Sequence, residues 1–162
     1  MTAGLIRDFR MHGSSGLSVL DSDFLKWLET HSSIELGEKI VAYSWTVDGI
    51  HQKCPKNGYW RVLPDSSGFI CFESERKSNN CVLRDVFGKE RMRLKVPLEM
   101  AGAQSLDAEN SSTFDNISEP YTNPIDHKEG HFGITGWVGQ SKLYFELDYH
   151  KGQFSWCRTI RD

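Results

Sequence analysis

No stretch of this chain approaches the roughly 18 consecutive apolar residues that a membrane-spanning helix requires. Its opening residues carry Arg7, Asp8 and Arg10 where a secretory leader would need an uninterrupted apolar core. The expectation is a soluble, cytoplasmic protein with no membrane partner. A basic excess is also missing. The formal net charge is −3, and the densest basic run, Lys89 to Lys95, is broken by Glu90, Met92 and Leu94. Proteins dedicated to nucleic acid usually show a basic balance or stripe, so nucleic acid is not the expected partner.

Paired cysteines are absent as well. Cys54, Cys71, Cys81 and Cys157 are widely spaced with no C-x-x-C among them. They read as reduced, structural thiols rather than as disulfides or a metal site. The chain has no Walker loop and no dinucleotide fingerprint. Gly13-Ser-Ser-Gly16 is one residue short of a nucleophile elbow and precedes any strand that could form one. No cofactor is implied.

Alternation is what the chain does have. From residue 132 to 160, apolar and polar residues alternate, interrupted at Gly139-Gln140-Ser141 and Lys151-Gly152, as in consecutive antiparallel strands with one buried face. The same period runs through Val41, Tyr43, Trp45 and Val47, and Asp48-Gly49 then supplies a hairpin turn. Residues 59–63 and 69–72 flank a second turn, and residues 81–84 and 92–96 a third. Phe24, Leu25, Trp27 and Leu28 form a helical stripe within residues 22–31, with Asp21 or Ser22 as cap. Strands and helices do not alternate, which argues against a parallel α/β sheet. The predicted fold is mainly β (α+β): a single antiparallel meander sheet, curled or sandwich-like, with one short N-terminal helix packed on it. It is read as a single domain over residues 1–162, in which 1–20 form an arm and 101–126 a long polar loop.

Four groups of residues are candidates for function. Glu146, Asp148 and His150 recur at period two on one strand face, with Tyr144, and two carboxylates with an imidazole could ligate a metal or share acid–base work. The same pattern is also the ordinary polar face of a half-exposed strand. His127 and His131 have i, i+4 spacing, but Pro124, Gly130 and Gly133 oppose a helix there. His51 and Cys54 lack a second ligand pair. The aromatics are the last group: five Trp, nine Phe and five Tyr. Trp60 and Trp137 fall out of phase with their strands' other apolar residues, a placement that suits either an interface anchor or packing on a sheet's second face.

The leading functional expectation is a non-enzymatic protein-binding domain, such as an inhibitor or immunity protein that neutralises a toxic partner enzyme. Trp60 and Trp137 would anchor the partner, and Asp107, Glu109, Asp115 and Glu119 would face its basic cleft. The alternatives are a small metal-assisted hydrolase using Glu146, Asp148 and His150, and a carbohydrate- or small-ligand-binding β domain with Trp and Tyr as stacking platforms.

Overall fold

A computed structural model describes residues 4–14, 16, 18–20, 39–102, 106–117 and 130–160. Among these residues the chain is mainly β, with twelve strands and one short helix. The strands form three four-stranded antiparallel sheets rather than the single sheet expected from sequence. The N-terminal sheet contains β1 (Ile6–Gly13), β2 (Ser18–Leu20), β3 (Ile40–Val47) and β4 (Ile50–Pro55), in the order β2-β1-β3-β4. The middle sheet is a meander of β5 (Tyr59–Val62), β6 (Phe69–Phe72), β7 (Cys81–Arg84) and β8 (Glu90–Leu94). Helix α1 (Leu106–Asn110) precedes the C-terminal sheet, in which β9 (Ser112–Ile117), β10 (His131–Val138), β11 (Ser141–Asp148) and β12 (Gln153–Thr159) again pair in sequence order.

The middle sheet is buried on both faces, and this explains its composition. Phe69, Cys71, Val82 and Trp60 enter one core with Ile6, Phe9, Met11, Tyr43 and Trp45 of the N-terminal sheet. Ile70, Phe72, Cys81 and Leu83 alternate with them and enter the other core, with Phe132, Ile134, Phe145 and Leu147 of the C-terminal sheet. Continuous apolar runs such as Phe69-Ile70-Cys71-Phe72 are what a strand with two dry faces requires. Periodicity reports which face of a strand is wet. It does not report which sheet the strand joins, and so a one-sheet meander and a three-sheet stack read alike.

Asp48 (φ 51°) and Gly49 (φ 77°) both adopt the left-handed conformation between β3 and β4, the geometry of the expected two-residue hairpin. Two other expectations are corrected. Residues 1–20 are not simply an arm: β1 pairs with β3, and its Ile6, Phe9 and Met11 are core residues. The polar stretch 101–126 is not simply a loop, because α1 and β9 lie within it and Phe114 and Ile117 are buried. Short strands carrying several hydroxyl or amide residues escape a reading based on apolar alternation. The helix expected at residues 22–31 lies outside the described residues.

All four cysteines are free thiols, and burial pushes each of them upward, Cys71 to about 11 and fully buried Cys81 well above the usual thiol range. Burial also raises the phenol of Tyr43. These groups keep their protons in the folded chain at pH values where the unfolded chain has lost them. Stability is therefore fully present below the unfolded thiol pKa, roughly 8.5, and falls as pH rises through the folded values. The urea midpoint should stay level from neutral pH to about 8 and then decline, with Cys71 alone accounting for on the order of 2 kcal/mol by pH 11. Urea titrations across that range, with iodoacetamide labelling of the native protein, provide the check. A midpoint that rises above pH 9, or rapid native labelling of Cys71, would contradict it.

Candidate partner-binding face

The C-terminal sheet turns Leu143, Phe145 and Leu147 inward, so the register fixes what its outer face carries. Tyr144 stands opposite Thr135 on β10 and Arg158 on β12, while Glu146 stands opposite Gly133 and Trp156. Lys142 pairs with Trp137, which in turn faces Thr113 on β9. On β12 the register slips between Trp156 and Phe154, leaving Ser155 as a bulge residue. That bulge brings Trp156 onto the outer face beside Tyr144 while Phe154 still enters the core.

The centre of this face is tightly organised. The Tyr144 hydroxyl donates to Glu146 Oε2 at 2.5 Å, and both residues are buried. The Tyr144 ring lies across Gly133, where even a Cβ would come within 2.1 Å of it. Only glycine allows this approach, so Gly133 fixes the ring's height above the sheet. The indole of Trp156 sits 5.1 Å from the Tyr144 ring, and the Arg158 guanidinium lies 5.2 Å above the same ring. Trp156 nevertheless remains 45% exposed, and among the described residues only Phe87 of the aromatics has a larger exposed fraction. The result is a rigid Tyr144–Glu146 base beneath an exposed tryptophan and arginine.

Trp137 occupies the far end of the same face. It is half-buried, with Lys142 Nζ 5.7 Å from the ring centroid. It lines a groove of about 510 Å³ with Arg76, Asn110, Ser111, Gly139 and Gln140. Of the two tryptophans singled out in the sequence, Trp137 therefore reaches this surface.

Trp60 does not. It is 2% exposed, ringed by Tyr43, Trp45 and Phe69, and its indole N–H donates to Asn57 Oδ1 at 2.9 Å. It is out of phase because the middle sheet has a second core, not because it faces a partner. The acidic candidates are also partly committed within the chain. Glu109 binds Lys95 at 2.7 Å, and Asp115 lies 3.7 Å from Lys142. Glu119 and the side chain of Asp107 lie outside the described residues.

The metal alternative does not converge. Glu146 is engaged by Tyr144, whereas Asp148 Oδ1 accepts the backbone N–H groups of His150 and Lys151. Those bonds, led by the one from Lys151, hold the Asp148 carboxyl below the usual range, with His131 nearby adding to the effect. His150 turns away to Asp65 on the β5–β6 loop, at 3.2 Å. His51 and Cys54 lie on opposite faces of β4, paired respectively with Thr46 and Tyr43. Among the described residues, no three His, Cys, Asp or Glu side chains gather as a metal site. His127 lies outside them.

Two comparisons returned nothing: no protein-family model matches the chain, and no curated protein matches it. Among solved structures, the chain is similar to one in the structure of Tne2 in complex with Tni2. The TM-score is 0.67 over 97% of this chain and 100% of that one, at 14% sequence identity. At that identity, the likeness shows the fold alone.

Trp156 and Arg158 were missed as interface candidates in the sequence. Their only signal was strand parity with Tyr144, and the Ser155 bulge disguises it.

Proposed function

We propose that this chain is a non-enzymatic protein-binding domain that neutralises a partner enzyme, and that it binds through the outer face of the C-terminal sheet. The observation that carries this reading is the exposed Trp156 held on a rigid Tyr144–Glu146 base beside Arg158. Tryptophan, tyrosine and arginine are the residues that dominate binding energy at protein interfaces, and a preorganised aromatic loses little freedom on docking. Support also comes from the structural neighbour, which was solved in a complex of two proteins.

Native mass spectrometry of the chain purified from its host should show a stoichiometric second polypeptide. That polypeptide's catalytic activity should fall when the chain is added back. Trp156→Ala should weaken the complex by about 30-fold, roughly 2 kcal/mol, with a melting temperature within a few degrees of the parent. Full partner activity at saturating chain, or unchanged affinity of the variant, would overturn the reading.

A further inference from the structure

The outer face of the N-terminal sheet carries cations on both sides of an uncharged strip. Register sets three rows across it: Arg7–Thr46–His51, Arg10–Ser44–Lys53 and His12–Ala42–Pro55. Arg7, Arg10 and His12 therefore form one rail on β1, and His51 and Lys53 another on β4. Between them β3 presents only Thr46, Ser44 and Ala42. The rails are two strand spacings apart, about 9.5 Å. Ser44 and Ala42 are shielded, while Arg7, His51 and Lys53 are exposed, so the rails are what a ligand would meet.

Their lack of neutralisation stands out in a chain of net charge −3. Elsewhere Arg93 binds Glu73 and Glu90, Lys95 binds Glu109, and Lys142 lies near Asp115. Arg91 donates to the carbonyls of Tyr149 and His150. No carboxylate occupies any of the three rows. Among the described residues, Asp8 lies beside them, in the bulge between Arg7 and Arg10. Arg10 reaches only the Ser18 hydroxyl, and His12 Nε2 lies 2.6 Å from Ser44 Oγ. The His12 imidazole is held below its usual range first by burial and then by Lys53, Arg10 and His51, as expected where cations share one face.

We propose that this trough binds an acidic polypeptide segment of a partner protein, whose Asp and Glu side chains reach both rails. A polypeptide fits better than a nucleic acid. The aromatic residues of these strands, Phe9, Tyr43 and Trp45, all face the core, so the trough has no platform on which bases could stack. The proposal does not depend on the C-terminal face.

The test is fluorescence anisotropy of the whole chain with a fluorescein-labelled poly-glutamate peptide at low ionic strength. Saturable binding is expected, and it should weaken steeply as salt is raised to about 0.15 M. Arg7→Glu with Lys53→Glu should weaken it at least tenfold. Lys89→Glu with Lys151→Glu, an equal charge change at exposed sites elsewhere, should change it less than twofold. Trp156→Ala should leave it unaltered, which separates failure here from failure of the C-terminal interface. Absent binding, equal loss in both double variants, or tighter binding of an oligo-dT strand than of the peptide would overturn the proposal.

Discussion

Trp60→Ala is expected to destabilise the protein by about 3–5 kcal/mol, the range for removing a large aromatic from a packed core. Its indole is shared by the cluster that joins the N-terminal and middle sheets, with Tyr43 at 5.6 Å, Trp45 at 5.8 Å and Phe69 at 5.1 Å. Arg84 lies 4.8 Å from the ring, so truncation would also leave a guanidinium without its aromatic partner. The neighbours cannot collapse into the gap easily. Tyr43 is fastened to the Gly58 carbonyl at 2.9 Å, and Trp45 to the Val86 carbonyl at 2.7 Å. For a chain of this length, the melting temperature should fall by roughly 8–15 °C. Trp60→Phe keeps most of the buried area but loses the N–H bond to Asn57, and should cost about half as much. Urea denaturation of both variants gives the comparison. A loss below 1 kcal/mol for Trp60→Ala would be incompatible with a middle sheet buried on both faces. The contrast with Trp156→Ala, which should weaken binding and spare stability, separates a core tryptophan from the proposed interface tryptophan.

The second large effect is expected at Asn80. This residue is 2% exposed, and its amide behaves like a neighbouring strand at the outer edge of β9. Its Nδ2 donates to the Phe114 carbonyl at 3.0 Å, and its Oδ1 accepts the Phe114 N–H at 2.9 Å. Its own carbonyl accepts the N–H of Glu73 at 2.7 Å, so one residue fastens the middle sheet to the C-terminal sheet. Asn80→Ala would leave the buried Phe114 N–H without a partner and its carbonyl with only the Thr113 hydroxyl, at 3.2 Å, a loss of about 2–3 kcal/mol. Asn80→Asp keeps an acceptor for the N–H but sets a carboxylate oxygen against the Phe114 carbonyl. It should be worse than alanine at neutral pH and recover part of the loss when the carboxyl is protonated in acid. Hydrogen exchange at the Phe114 amide should accelerate in both variants. Full protection in Asn80→Ala would show that the edge is held by other contacts.

How far the sequence was legible differs from one element to the next. The alternation of residues 132–160 located three strands of the C-terminal sheet, and Asp48-Gly49 located a hairpin, because both signals are local. Strand β9 was hidden because its segment, Ser112–Ile117, has only two apolar residues, and Asn80 completes its pairing from more than thirty positions away. The candidate face was half legible. Parity put Tyr144 and Glu146 on one side of β11, but what covers that side depends on β12 and its bulge.

By itself, then, the sequence determined the antiparallel β class, many of the strand positions and the inward or outward phase of the regularly alternating strands, since these follow from a period of two along a short stretch of chain. The tertiary structure decided the rest. It divided the strands among three sheets and made Trp60 core and Trp156 surface. It also scattered the Glu146, Asp148 and His150 side chains while gathering Arg7, Arg10, His51 and Lys53 into one trough. The reason is physical: a strand's pattern records how many of its faces are dry, whereas the surface that dries each face, and the charges that end up adjacent, depend on pairings between residues far apart in the chain.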